Sequence, residues 1–383
     1  MIEERIISSL LDNDFYTLTV GQVAFKSFPT LNVQYQFINR NGTPFPDGFI
    51  NELNHQLELM KGLRFTQPEL DWLKFLGYFS DEYLKWLSEY QFNPSELTIN
   101  QNNGILTIII NGSWVRTIMW EVPLLSLISE LYYRILGLKP KNWWKDKILK
   151  KAQNLDDGSC LWIDFGTRRR FSFDVQNQVV STMKYFKGFL GTSNIFLAFK
   201  HNIKPNGTMS HQGPMAMMAK YGIVNANRKW MKYWKETYGE KLLIYLVDTF
   251  TTDHFLSQFN QADALVWDGL RQDSGDPSEW MDKILKHYNG LDVPTTNKKF
   301  IFSDSLTDET YKELSLKYRN YATIVGGIGT ALSNDCGHKP LNIVVKLISA
   351  DGKDVVKLSD HKGKHTGKPE AIRLVKEQLR IGE

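Results

Sequence analysis

The sequence predicts an α/β protein: an irregular, TIM-like α/β barrel preceded by an N-terminal α+β sandwich domain. Three observations predict it. From residue 160 onward, short apolar runs ending in Asp or Gly alternate with helical patterns. Between residues 242 and 325 four strand-like runs recur at intervals suited to βα units. Such alternation implies right-handed crossovers and a mostly parallel sheet. An open sheet would show it too; the barrel is favoured because polar, chemically capable residues follow nearly every run, where barrel enzymes place their sites.

A chain of 383 residues exceeds one ordinary core, so two domains are expected. The predicted organisation is an N-terminal domain over 1–155, a barrel over 156–345, and a segment 346–383 returning to the N-terminal domain. In the first part, Leu31–Ile38 reads as a strand ended by Asn41-Gly42, and Ile105–Asn111 is a second β-rich run. Pro68–Leu76, Asp81–Tyr90 and Leu124–Leu136 read as helices. In the second part, Leu161–Phe165, Phe186–Leu190, Gly207–Ser210, Lys241–Val247, Ala264–Trp267, Phe300–Phe302 and Ala322–Val325 are the strand candidates. Helical patterns from Pro214, Asp253–Phe259, Ser278–Tyr288 and Asp308–Tyr318 alternate with them.

Composition excludes several classes. Hydrophobic residues are 42% and charged residues 23%, a globular balance, and a net charge of +4 gives no case for nucleic acid. The apolar stretches Ile105–Ile110 and Val122–Leu131 are far shorter than the roughly 20 residues that span a bilayer. The start lacks the pattern of a secretion signal, and the cysteines, Cys160 and Cys336, suggest no disulfide framework. A cytoplasmic protein is expected, with no membrane or nucleic-acid partner. Neither the cysteines nor the histidines show metal-ligand spacing, so no protein-held metal is expected.

Four constellations carry chemistry. Asp164-Phe-Gly-Thr-Arg-Arg-Arg170 follows a strand; three consecutive arginines cannot face one way, yet two could grip an anion, and Gly166 would let backbone approach a ligand. A solvated charge run is the alternative. Val325-Gly-Gly-Ile-Gly-Thr330 could cup a phosphate with glycine amides and the threonine hydroxyl, or be a flexible turn. In Trp267-Asp-Gly-Leu-Arg-Gln-Asp-Ser-Gly-Asp-Pro277, Asp273 and Asp276 beside Arg271 could hold ribose hydroxyls, or merely cap the next helix. Gly207-Thr-Met-Ser-His-Gln212 sets His211 between a strand and a helix, as a general base, a nucleophile or a structural group. His254 is a weaker candidate, and Met215, Met217 and Met218 read as helix core.

In order along the chain, these segments resemble the nicotinate phosphoribosyltransferase family. Asn13-Asp-Phe-Tyr-Thr-Leu-Thr-Val20 is similar to its Thr-Asp-x-Tyr-x-Leu-Thr-Met element, and Asp164–Arg170 to its Glu-Phe-Gly-Thr-Arg-Arg. Gly191-Thr-Ser-Asn194, Gly207–His211, Gly269–Pro277 and Gly327–Asp335 follow in the family's order. The resemblance implies transfer of phosphoribose from phosphoribosyl pyrophosphate to nicotinate, coupled to ATP, with Mg²⁺ carried by substrate phosphates rather than a protein cage.

Roles implied by the resemblance then follow. His211 would accept a phosphoryl group from ATP. Arg271 and Thr208 would contact nicotinate, Phe165 would stack on its ring, and Tyr16 would cover the opposite face, donated by the second subunit of a homodimer. Arg168 and Asp273 would engage the ring carboxylate region and the ribose. Gly326, Gly327, Gly329 and Thr330 would hold the 5′-phosphate, with Lys346, Lys357 and Lys362 toward ATP or pyrophosphate. Ser193 stands where nicotinamide-using relatives carry Asp, which would favour nicotinate. Gln272 replaces the family's His in Arg-His-Asp-Ser-Gly.

Overall fold

Eleven strands form two sheets in the computed structural model, which describes residues 2–361 and 364–381. In chain order they are β1 (Asn32–Asn39), β2 (Leu97–Asn102), β3 (Ile105–Ser113), β4 (Leu161–Asp164), β5 (Phe189–Thr192), β6 (Ile244–Leu246), β7 (Gly269–Gln272), β8 (Lys299–Phe302), β9 (Thr323–Ile328), β10 (Ile343–Ala350) and β11 (Lys353–Asp354).

The first sheet is antiparallel, in the order β11-β10-β1-β3-β2. β2 and β3 form a hairpin because Asn103 and Gly104 both take positive φ, 48° and 77°, the combination a two-residue turn demands. Helices Phe15–Ser27, Phe49–Met60 and Glu121–Ile135 bury apolar faces beside this sheet. β10 pairs with β1 from Val33↔Ala350 to Asn39↔Ile343, so a strand late in the sequence is central to the N-terminal sheet. The return therefore begins at Ile343, inside the stretch expected to belong to the barrel.

The second sheet is parallel throughout, in the order β5-β4-β9-β8-β7-β6. Its two edges, β5 and β6, are joined by an irregular segment rather than by a strand. Asn206 N donates to Thr192 O at 2.9 Å, and Thr208 Oγ1 donates to Ile244 O at 2.8 Å. Gly207–Ser210 is thus not a strand, and the irregularity of the barrel lies here.

Two further expectations are corrected. Ala264–Trp267 is the end of a helix, Gln261–Val266, and its run carries on into the loop before β7. A capping box between Asn260 and Asp263 starts that helix, and four apolar residues cannot announce a strand against it. In β9, Gly326 and Gly327 lie inside the strand rather than after it. A Cβ on Gly326 would sit 2.7 Å from the Tyr311 ring, and one on Gly327 would sit 2.5 Å from Phe165. These glycines admit aromatic rings against the sheet.

One contiguous apolar core runs from Ile6 to Val375 through both sheets. Among the described residues, no helix is long and apolar enough to cross a membrane.

Candidate active site

A cavity of about 690 Å³ opens where the barrel's strand ends meet the N-terminal sheet. β4 delivers the arginine element to it. Arg168 and Arg169 line the cavity, whereas Arg170 is fully buried and pairs with both oxygens of Asp12 at 2.6 and 2.7 Å. Two of the three arginines therefore face ligand space and the third ties the barrel to the N-terminal segment. Gly166 serves packing, not ligand approach: a Cβ there would meet Ser333 Cβ at 2.5 Å.

His211 is the N-cap of helix Gln212–Tyr221 and is 9% exposed. Its Nε2 lies 3.0 Å from Asp273 Oδ2 and its Nδ1 lies 3.0 Å from Thr249 Oγ1. Burial, helped by the Lys357 charge, pushes the imidazole pKa down to about 4. Burial would raise Asp273, but His211, Lys357 and Arg271 outweigh it and hold the carboxyl well below its usual range. An ionised Asp273 keeps the proton on Nε2, and the Nδ1 lone pair of the neutral ring accepts from the Thr249 hydroxyl. A ring kept neutral is the form that can act as a base or a nucleophile.

Arg271, on β7, is buried in the cavity wall, and its Nε has no hydrogen-bond partner. Among the described residues its guanidinium makes no ion pair. It feels the Asp273 and Asp248 charges without pairing with either, and a buried cation left without an ion pair is suited to an anion. Phe165 and Tyr16 supply the aromatic wall. Ser193 also lines it, but its hydroxyl donates to Asp14 Oδ1 at 2.7 Å, so a carboxylate stands next to the serine. Arg168 sits between that carboxylate and Glu121, 3.9 and 3.8 Å away.

Tyr16 lines the same chain's cavity as His211. The expectation that a partner subunit donates it is corrected: its helix is docked on its own barrel. Phe15 N donates to Ser193 O at 2.8 Å, and Thr19 Oγ1 donates to Thr208 O at 2.6 Å. Thr208 does not line the cavity, because its hydroxyl is spent on Ile244. Gly326 and Gly327 do not line it either, which leaves Gly329 and Thr330 of the predicted phosphate cup. Asp276 caps helix Pro277–Gly290 and stays outside, and Gln272 donates to the carbonyls of Ser274 and Gly275. Lys346 and Lys357 line the cavity; Lys362 lies outside the described residues.

Sequence reasoning missed Asp14, Arg40, Glu121, Thr249 and Lys364. Asp14 stood unremarked within the Asn13–Val20 motif. The others had no motif around them, since the residue after β1, a helix start, the loop after β6 and the segment before the last helix supply them from far apart.

The family described as "Nicotinate phosphoribosyltransferase (NAPRTase) family" matches residues 160–383, and its N-terminal domain matches residues 11–129. The chain belongs to this family. It is 39% identical to a nicotinate phosphoribosyltransferase of Desulforapulum autotrophicum, over 96% of this chain and 97% of that one. It is 37% identical to that of Chromohalobacter salexigens, covering 98% and 99%. The crystal structure of the Porphyromonas gingivalis nicotinate phosphoribosyltransferase superposes with a TM-score of 0.95 at 36% identity, over 98% of this chain and all of that one. The parallel sheet and the antiparallel sheet are thus a family architecture, and the chain is a family enzyme.

Proposed function

We propose that the chain joins nicotinate to phosphoribosyl pyrophosphate, giving nicotinate mononucleotide and pyrophosphate for NAD synthesis, with ATP hydrolysis coupled through a phosphoryl group on His211. The single observation that carries the acceptor is Arg271, a buried guanidinium that makes no ion pair among the described residues, in an aromatic-walled cavity. The nicotinate carboxylate completes it, with the ring against Phe165 and Tyr16. Gly329 and Thr330 take the 5′-phosphate. Arg40, Arg169, Lys346 and Lys357 ring the space left for the polyphosphates.

Bond formation runs from the pyridine nitrogen to the anomeric carbon as the bond to pyrophosphate breaks. The enzyme's part is to hold both partners and neutralise the leaving charge. Mg²⁺ bound to the substrate phosphates supplies further neutralisation. In the coupled step, one ring nitrogen of the neutral His211 attacks the γ-phosphorus of ATP, the bond to ADP breaks, and the proton stays on the other ring nitrogen. Hydrolysis of the phosphohistidine restores the neutral ring.

Asp14 beside Ser193 is the observation that favours a carboxamide acceptor instead, since a carboxylate would accept from an amide. Arg168 at 3.9 Å offsets that charge. Both acceptors therefore belong in the test. Purified protein is given phosphoribosyl pyrophosphate, Mg²⁺ and nicotinate, nicotinamide or quinolinate, with and without ATP. Nicotinate mononucleotide formed faster with ATP is expected; faster turnover of nicotinamide overturns the acceptor assignment. Tyr16 in its own chain's cavity means that a homodimer enters only as an assembly of complete sites. Two free, buried cysteines suit the reducing cytoplasm.

A further inference from the structure

We infer that Gln212 is a positioning residue that locks the phosphoryl-accepting His211 to the acceptor wall of the cavity, through a side-chain amide shared between both domains. Gln212 follows His211 in the chain and is 5% exposed. Its Oε1 accepts from Tyr35 Oη at 2.6 Å and from Trp114 Nε1 at 2.9 Å, both N-terminal-domain donors. Two donors on one oxygen settle which end of the amide is which. Its Nε2 therefore faces Glu121 Oε2, at 3.4 Å. The other oxygen of Glu121 faces Arg168 at 3.8 Å. The same backbone turn anchors the catalytic helix, since Met215 N donates to His211 O at 3.1 Å. One side chain thus has two ends with separate jobs. The oxygen docks the His211 helix onto β1 and Trp114, and the nitrogen holds Glu121, and through it Arg168, against the acceptor ring.

The two ends can be separated by substitution. Gln212→Leu removes both and strands the Tyr35 hydroxyl, the Trp114 indole and the Glu121 carboxylate. Gln212→Glu keeps two acceptor oxygens for Tyr35 and Trp114 but loses the donor to Glu121. Two carboxylates then meet near Arg168, Lys346, Asp14 and the His211–Asp273 pair, and a shared proton, favoured by the burial that already raises Glu121, replaces the lost N–H increasingly as pH falls.

The role rests on the proposed reaction, and its test has three readings: nicotinate KM, the rate of ATP-dependent labelling of His211, and hydrogen exchange of amides in 114–121 and 211–222. Gln212→Glu is expected to label within about twofold of the parent rate while its nicotinate KM rises roughly fivefold to tenfold, the size of one ordinary hydrogen bond, as befits a contact of 3.4 Å. That rise shrinks as pH falls. Gln212→Leu slows labelling as well and speeds exchange in both segments. Unchanged KM, labelling and exchange in a folded Gln212→Leu protein, or equal losses of KM and labelling in Gln212→Glu, would overturn the role. If the parent protein neither labels nor uses nicotinate, the proposed reaction fails. Faster exchange in both segments of Gln212→Leu would then still support the lock, and unchanged exchange would overturn it too.

Discussion

Arg271 and His211 show how burial converts an ordinary side chain into a chemical instrument. Water would neutralise interest in either. Inside the cavity, Arg271 with its Nε unpaired gains from an anionic ligand, so Arg271→Leu should raise nicotinate KM by roughly 30–100-fold, about the worth of a charge-assisted pair. kcat should change far less; steady-state kinetics with nicotinate as the varied substrate checks it. For His211 the sign follows from its depressed pKa of about 4. The ring is neutral above that value, so labelling by ATP should stay flat down to about pH 5 and fall only below it, whereas an unperturbed histidine would already fade near 6.5. A pH series of acid-labile label on the parent protein, with His211→Ala as the blank, measures this.

At the scale of elements, β9 is the instructive case. Its adjacent glycines clear opposite faces of the strand, admitting Tyr311 at Gly326 and Phe165 at Gly327. Gly327→Ala should displace Phe165 from the cavity wall, raising nicotinate KM several-fold and lowering stability by about 1–3 kcal/mol, the usual cost of overpacking. Denaturant melts together with KM values separate the two effects. The glycine run was visible in the sequence, but its use was not. Glycine serves a phosphate turn and a close-packed strand equally well, and only the register of β9 against β4 and β8 says which. The apolar run Ala264–Trp267 failed for a related reason: a buried short helix and a buried short strand have the same composition. By contrast, Asp276-Pro277 and the arginine element were legible, because N-capping and the limited reach of adjacent side chains are local rules.

For the whole molecule, the continuous core and the strand exchange by β10 make the two sheets one folding unit, and the active cavity belongs to their junction. Tyr16, His211 and Arg271 all come from one chain. Specific activity should therefore stay constant on dilution through any subunit dissociation, as sedimentation velocity and assays at matched concentrations would show. A loss of activity in step with dissociation would return the site to a shared interface.

The sequence by itself determined the α/β alternation, the membership implied by six ordered motifs, and the chemical repertoire: arginines for anions, a histidine as base or nucleophile, aromatics for a flat ring. These depend on neighbours in the chain or on residue type alone. The tertiary structure decided which arginines face the ligand, that Thr208, Gly326 and Gly327 serve the scaffold, and that Tyr16 completes its own cavity. It also brought Glu121, Arg40 and Lys346 to the site. Those outcomes turn on contacts between segments more than a hundred residues apart, such as Arg170 with Asp12 and Tyr35 with Gln212. Pairing at that range depends on how whole sheets pack, and nothing local in either segment records its partner.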